Sequence, residues 1–272
     1  MEITTQDIQS FLDFIKDASK YDFSSYSIKS FTRRLAKLTL DENLTIPEII
    51  IKAENNSSYL DEIVKNITVN TTELFRDPEI WNLIRKNVLH RYSTEKEINI
   101  WHPGVSTGQE AFSLMVYLDQ FGLFNRANII ATDLNRDVLE TAKTGKYKYR
   151  EIDEYIENYN NSFEEGEIPP MSRYFNISRR KNLIKVDRKL TKKANFTVHD
   201  LTSLINPTNH KYHMILCRNL LIYFNHEMQN KIFQFFYDNL EKGGALIIGR
   251  HEGILSNLVS KFNKKGVIYI KK

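Results

Sequence analysis

The chain has 272 residues, of which 41% are hydrophobic, so it is long enough for one large domain or two unequal ones. No run approaches the ~18 apolar residues of a membrane-spanning helix and the N-terminus lacks a charged-then-apolar signal, which predicts a cytoplasmic protein without membrane insertion. A single cysteine excludes an intramolecular disulfide framework, and no metal site is expected from the sparse cysteines and histidines. The formal net charge of +4 does not demand a nucleic-acid partner.

The first part of the chain is predicted to be helical throughout. Residues 1–70 carry apolar side chains at helical spacing and are expected to form an all-helical domain. Asp77 and Pro78 look like the N-cap and first position of a further helix, which predicts a linker helix over 71–92. The second helix of the domain carries a compact basic stripe opposite its apolar face, consisting of Lys29, Arg33, Arg34 and Lys37.

From residue 93 to 272 short apolar strands alternate with helices, which predicts an α/β domain with a parallel sheet. The segment 152–194 interrupts this alternation and is predicted to be an insertion that forms a small antiparallel sheet. The predicted strands are Ile98–Trp101, Ile129–Thr132, Phe196–His199, Met214–Leu216, Ala245–Ile248 and Val267–Ile270. The predicted helices include Gln109–Leu118, Arg136–Ala142 and His226–Leu240.

A glycine-bearing turn after the first strand indicates a ligand site. Gly104 and Gly108 lack a Cβ and allow close approach of a ligand, and open α/β sheets bind ligands beyond the carboxyl ends of their strands. Asp133 closes the next strand and is placed to accept hydrogen bonds from both hydroxyls of a ribose. The spacing matches neither a dinucleotide fingerprint nor a phosphate-binding loop. The pattern therefore predicts a pocket for an adenosine without phosphates, of which S-adenosylmethionine is the commonest cofactor.

Five segments in order resemble the CheR family of chemotaxis receptor methyltransferases, and together they cover nearly the whole chain. The resemblance implies a Rossmann-like, S-adenosylmethionine-dependent methyltransferase sheet with an N-terminal helical domain and a small antiparallel β insertion. It also implies methyl transfer to glutamate carboxylates of methyl-accepting receptors, giving glutamyl methyl esters and S-adenosylhomocysteine. The segments are Val69–Pro78, Trp101–Ser113, Ala131–Tyr147, Cys217–Asn225 and Gly243–Glu252.

The same resemblance assigns roles to individual residues. It implicates Arg76 and Tyr223 in catalysis and suggests that the basic stripe docks on the receptor. The chain departs from the family pattern at several positions, among them His102, where a small residue is usual, and Asp200, where Asn is usual. The residues expected to bind the cofactor are Asn70, Thr72, Arg76, Glu110, Asp133, Asp200, Leu201, Cys217 and Arg218.

Simpler explanations stay open for several of these residues. Asn70 and Thr72 could merely cap or support the helix that follows. Glu110 could be present only because a carboxylate is favourable at the positive N-terminal end of its helix. Cys217 is the only thiol, but methyl transfer needs no covalent enzyme intermediate, so packing is the favoured interpretation. At the level of function, a methyltransferase for another acceptor and a non-catalytic signalling module are the alternatives.

Overall fold

Helices within the described residues 3–67 form the core of the first of two units into which the chain folds. This unit comprises residues 1–69 and 220–231, and the second comprises residues 70–219 and 232–272. The computed structural model describes residues 3–19, 21–67, 72–148 and 152–272. The helices are α1 (Thr5–Ala18), α2 (Ile28–Glu42), α3 (Ile46–Glu54) and α4 (Ser57–Ile67).

The helices of the first unit are amphipathic and pack their apolar faces together. α1 begins with a capping box in which Thr4 Oγ1 accepts the Asp7 N–H at 3.1 Å and the Asp7 carboxylate accepts the Thr4 N–H at 2.9 Å. α3 begins in the same way at Thr45 and Glu48. The shared core contains Ile8, Phe11, Ile15, Phe31, Leu35, Leu38, Ile49, Ile63 and Val64.

The basic stripe of α2 differs from its predicted composition. Lys29, Arg33 and Lys37 are exposed and recur every four residues, so they share one face of the helix. Arg34 is only 8% exposed and lies on the buried side of α2 with Leu35. Its inclusion in the exposed stripe was wrong, because a one-residue step turns a side chain through about 100° around a helix of 3.6 residues per turn.

The second unit is built on a seven-stranded sheet with the order β6-β2-β1-β7-β8-β10-β9. The first five strands in this order are parallel, and β10 and β9 add an antiparallel edge. The sheet strands are β1 (Ile98–Pro103), β2 (Ala127–Asp133), β6 (Ala194–Val198), β7 (Tyr212–Cys217), β8 (Leu240–Ile248), β9 (Phe262–Lys265) and β10 (Ile268–Lys271).

The six predicted strands are confirmed, with shifts of a few residues at their ends. β9 was not predicted because only Phe262 of its four residues is buried, which leaves no apolar alternation to detect. The helices of this unit include α5 (Pro78–Asn87), α6 (Gln109–Gln120), α7 (Arg136–Thr144), α8 (Ile152–Asn161) and α9 (Arg188–Thr191). A further helix, α10 (His226–Asn239), leads into β8.

Strand β1, the third in the order of the sheet, is buried along almost its whole length. On one face, the Trp101 ring packs edge-on against Phe236 with ring centroids 5.5 Å apart. α6 is almost wholly buried, from Gln109 to Leu118, as expected of a helix that is apolar on nearly every side. This burial fixes the first turn of α6, which is joined to the end of β1 by residues 104–108.

The insertion contains the expected small antiparallel sheet, with the order β3-β5-β4. Its strands are β3 (Lys146–Lys148), β4 (Phe175–Ser178) and β5 (Leu183–Val186), so the sheet begins before residue 152. Residues 152–161 are the helix α8, which the interpretation of the segment as β structure missed. The buried Ile152 and Tyr159 lie seven residues apart, at helical spacing, and this signal is obscured by the polar residues between them.

Candidate functional site

The turn between β1 and α6 has an unusual backbone. Gly104, Ser106 and Gly108 all have positive φ, at 67°, 52° and 92°. The turn is tied to the end of β2, because the Val105 N–H donates to the Thr132 carbonyl at 2.9 Å. A non-glycine residue such as Ser106 in the left-handed region stores strain that its surroundings must offset, which is common at functional sites.

Gly108 has a structural reason to be glycine that the sequence did not reveal. A Cβ at this position would lie 2.9 Å from Ala142 Cβ of α7 and 3.2 Å from the ring of Phe112. The glycine therefore lets α6 begin close against α7, besides supplying the left-handed φ of 92°.

Asp133 ends β2 and binds the turn with both carboxylate oxygens. Oδ2 accepts the Ser106 N–H at 2.8 Å and Oδ1 accepts the Asn135 N–H at 2.9 Å. Burial raises the pKa of Asp133, while these backbone donors oppose that effect because they favour the ionised form. A carboxylate has about four lone-pair sites, so the group retains capacity to accept from a donating hydroxyl of a ligand.

A buried ionic network joins the start of α6 to the end of β7. The Arg218 side chain is 0% exposed, and its Nη1 lies 3.1 Å from Glu110 Oε2 while its Nη2 lies 2.7 Å from Asp77 Oδ2. Nη2 also donates to the Arg76 carbonyl at 3.1 Å. Burial raises the pKa of Glu110, and the Arg218 charge opposes this shift. Arg218 therefore holds a carboxylate in place at the head of α6.

Asp77 occupies the predicted N-cap position of α5, but its side chain does not cap the helix. It precedes Pro78 as expected, but its φ is 54° and its side chain makes no cap hydrogen bond. Its carboxylate instead faces Arg218, because the left-handed backbone turns the side chain away from the α5 amides. Phe75 has the same backbone conformation, with φ of 55°, and its N–H donates to Ser113 Oγ at 2.8 Å.

Arg76 lies between these two left-handed residues and is half-buried. Its carbonyl accepts hydrogen bonds from Trp81 Nε1 at 3.0 Å and from Arg218. Its positive charge also acts on Glu110, where it opposes the rise in pKa. Thr72 is half-buried, and Asn70 lies outside the described residues.

The remaining predicted cofactor residues lie at or just after the carboxyl ends of β6 and β7. Asp200 Oδ1 accepts the N–H of Thr202 at 2.8 Å and its hydroxyl at 2.7 Å, which starts a short turn containing the buried Leu201. Cys217 is fully buried, and burial raises the pKa of its thiol well above the usual value. The thiol is thus protonated at neutral pH, in keeping with packing rather than nucleophilic chemistry.

Two further residues belong to this environment although no role was predicted for them. Glu252 Oε2 accepts the N–H groups of Asn219 at 3.0 Å and Gly249 at 2.6 Å, and so orders the turn after β7, where Asn219 has a φ of 58°. His102, near the end of β1, is 3% exposed and places Nε2 3.5 Å from Glu110 Oε1. The family segments contained both residues, but only the structure reveals their partners.

Tyr223 belongs to the helical unit, where it packs on a buried cation. The Arg34 guanidinium carbon lies 4.3 Å from the centre of the Tyr223 ring, a cation–π contact. Arg34 also donates to the Ile67 carbonyl, and the Tyr223 carbonyl accepts the Ser27 N–H at 2.8 Å. The tyrosine is therefore held from both its ring and its backbone.

The second unit is an open α/β domain whose acidic side chains lie at the carboxyl edge of a mainly parallel sheet, the ligand-binding edge of such folds. Residues 70–269 match the family model described as CheR methyltransferase, SAM binding domain. The chain belongs to this family. It is accordingly an S-adenosylmethionine-dependent methyltransferase, and the predicted fold class, cofactor and enzyme class are confirmed.

Similar proteins extend the match into the helical unit. A Pseudomonas putida protein named as a methyltransferase, Cher3, is 30% identical over 237 residues, covering 86% of this chain and 84% of that protein. The chemotaxis protein methyltransferase of Listeria monocytogenes is 27% identical, covering 86% and 85%. Chemotaxis protein methyltransferase 1 of Pseudomonas aeruginosa is 26% identical and covers 99% of both chains.

None of the described helices is long and apolar enough to cross a bilayer.

Proposed function

We propose that this enzyme transfers the methyl group of S-adenosylmethionine to glutamate side chains of methyl-accepting chemotaxis receptors. The observation that carries the proposal is the full-length similarity to a chemotaxis protein methyltransferase, which covers 99% of both chains and so includes the helical unit as well as the cofactor domain. The products would be a glutamyl methyl ester and S-adenosylhomocysteine.

The side chains at the sheet edge fit the groups of this cofactor. Asp133 offers a carboxylate with spare lone pairs for the ribose hydroxyls, and Glu110 offers a buried carboxylate for the α-amino group. The half-buried Arg76 offers paired N–H donors for a carboxylate. We assign the adenine to the turn at Asp200 and Leu201. Asn70, Thr72, Cys217 and Arg218 complete the proposed cofactor residues.

The reaction requires the protein mainly to align the methyl donor with the acceptor carboxylate. The bound sulfonium supplies an electrophilic methyl group, and an acceptor glutamate is already ionised at neutral pH. The bond from methyl carbon to sulfur breaks as the bond to the carboxylate oxygen forms, so no general base is required. The residues of the chain bind both partners, keep them in line and exclude water. A protonated Cys217 has no step to perform.

We assign the orientation of the acceptor carboxylate to Tyr223. The phenol can donate one hydrogen bond, and the ring is fixed by the Arg34 guanidinium at 4.3 Å. We expect Tyr223→Phe to lower kcat by roughly 10²-fold, the loss typical of one positioned donor, without changing S-adenosylmethionine affinity. Calorimetry and a receptor methylation assay measure the two effects. Tyr237→Phe, a half-buried tyrosine on α10, is the matched control and keeps full activity.

The exposed stripe of Lys29, Arg33 and Lys37 is the proposed docking face for the acidic methylation region of the receptor. Such charges mainly speed and orient encounter. Reversing all three to Glu is expected to raise KM for receptor about tenfold or more at low salt, with kcat and cofactor affinity unchanged. A second variant with the same change in net charge carries Glu at three exposed lysines elsewhere, Lys192, Lys242 and Lys265. An equal loss in both variants would rule out a specific docking face.

The proposal as a whole is tested with the purified protein, methyl-labelled S-adenosylmethionine and receptor cytoplasmic fragments. We expect label on the receptor that mild alkali releases, as a carboxyl ester requires. Label on nucleic acid or a small molecule would favour another acceptor. Tight cofactor binding with no transfer to any receptor fragment would favour a non-catalytic signalling module.

A further inference from the structure

The His102 imidazole lies beside the Glu110 carboxylate in the interior of the second unit. His102 is 3% exposed, and its Nε2 lies 3.5 Å from Glu110 Oε1. Within the part of the chain that the structure describes, Glu110 Oε1 and His102 Nδ1 are both buried and have no hydrogen-bond partner. The second carboxylate oxygen, Oε2, is already held by Arg218 at 3.1 Å. Buried polar atoms are nearly always satisfied, so this pair calls for an explanation.

The surroundings determine the protonation state of the imidazole. Burial and the nearby Arg218 charge lower the pKa of His102 to about 3. The charged groups that act on the pair from neighbouring elements are Arg76 and Asp77 before and at the start of α5, Arg218 after β7, and Glu252. A neutral imidazole carries one N–H, and the nearest acceptor on the Nε2 side is the carboxylate, which favours the Nε2–H tautomer.

We propose that neutral His102 is a positioning residue for Glu110, donating its Nε2–H to Oε1 while Arg218 holds Oε2, so that the carboxylate is fixed for the α-amino group of S-adenosylmethionine. A shift of a few tenths of an ångström closes the 3.5 Å gap to a hydrogen bond. This inference rests on the proposed role of Glu110 in cofactor binding. The family pattern has a small side chain at the position of His102. The contact between His102 and Glu110 is therefore a difference between this chain and that pattern.

The hydrogen bond from His102 affects the pH at which cofactor binding is lost. A hydrogen bond donated to the ionised carboxylate lowers the pKa of Glu110 relative to the same site without the donor. Removing the donor therefore raises the pKa of Glu110. As pH falls, a variant without the donor protonates Glu110 and loses its cofactor affinity at a higher pH than the native enzyme does.

The test compares His102→Leu, which keeps the apolar volume but has no donor, with His102→Gln, whose amide can replace the Nε2–H. Binding of S-adenosylmethionine is measured by calorimetry between about pH 5 and pH 9. We expect His102→Leu to weaken S-adenosylmethionine binding roughly tenfold near neutral pH. The pH at which affinity falls on the acid side is expected to rise by about one unit, since one pKa unit corresponds to a tenfold change in equilibrium. His102→Gln is expected to restore most of the affinity.

A second ligand separates positioning from general damage to the fold. 5′-Methylthioadenosine lacks the amino acid portion, so its affinity is expected to be unchanged in His102→Leu. His213→Gln is the matched control, a half-buried histidine on β7 whose Nδ1 accepts the Asn99 N–H at 3.1 Å. Equal weakening of both ligands, or no rescue by Gln, would overturn the proposal. Native affinity in Glu110→Gln would instead overturn the assignment of Glu110 itself, so the two failures are distinguishable.

Discussion

Asp133→Ala is expected to remove measurable S-adenosylmethionine binding in titration calorimetry. The variant would lose the two charge-assisted hydrogen bonds proposed between Asp133 and the ribose, each worth about 1.5–3 kcal/mol, or roughly 10²–10⁴-fold in affinity together. It would also release the Ser106 and Asn135 N–H groups that the carboxylate holds at 2.8 and 2.9 Å, so the turn itself would relax.

Two further variants make this result interpretable. Asp133→Asn keeps the shape and one oxygen acceptor, and its affinity should fall between the native and alanine values. Asp137→Ala removes an exposed carboxylate from the first turn of α7 and should bind normally. An affinity close to native in Asp133→Ala would refute the ribose assignment.

Arg218→Met is expected to be the most destabilising single change at the site. The substitution removes the guanidinium that bridges the carboxylates of Glu110 and Asp77, at 3.1 Å and 2.7 Å. Both carboxylates then lack this cationic partner. Breaking a buried ion pair from one side costs about 3–5 kcal/mol, because a charge is left uncompensated. Chemical denaturation near pH 7.5 measures this loss, and cofactor binding should be lost with it.

The pH dependence of that loss has a definite sign. Burial raises the pKa of Glu110 above its ordinary 4.5, and removing the opposing Arg218 charge raises it further. A carboxyl group with a raised pKa in the folded state destabilises the fold above its unfolded pKa, and this penalty disappears as pH falls below that value. The deficit of Arg218→Met relative to the native enzyme should therefore shrink as pH is lowered from about 7.5 toward 4.5.

Arg250 provides the matched control for Arg218. It approaches the same Asp77, at 3.6 Å, but its side chain is 50% exposed. Surface ion pairs contribute about 0–1 kcal/mol, so Arg250→Met should change stability little at any pH. If both variants lost stability equally, the central role of the buried network would be contradicted.

The sequence predicted those features that depend on local pattern. Short apolar runs located the parallel strands, and Asp133 was recognisable because it ends one of them. The glycine turn indicated a ligand site at the carboxyl edge of the sheet, since parallel strands bring their carboxyl ends together. These inferences need only the periodicity of side chains and the topology that follows from it.

The partners of the charged residues could not be predicted in the same way. Arg218 meets Glu110 and Asp77 across more than a hundred residues of sequence, and no local pattern encodes such a contact. Arg34 was assigned to a solvated face because helical periodicity cannot distinguish a basic residue at the edge of the apolar side from an exposed one. Arg34 can be buried because its side chain has an apolar stem and its guanidinium packs on the Tyr223 ring.

The positions with strained backbone conformations could not be predicted from the sequence either. Phe75, Asp77, Ser106 and Asn219 all adopt positive φ although none is glycine. Each lies in or beside a segment that resembles the family motifs, and the surrounding hydrogen bonds hold it there. Propensity alone predicts glycine at such positions, so the tertiary contacts of the site override it.

Residue-level mass spectrometry of the methylated receptor fragment tests the central claim most directly. The proposed function predicts methyl esters on glutamate side chains, lost after mild alkali and absent when those glutamates are replaced by alanine. Tyr223→Phe should yield the same sites at lower occupancy. An alkali-stable methyl group on lysine, cysteine or the N-terminus of the receptor would contradict carboxyl methylation by this enzyme.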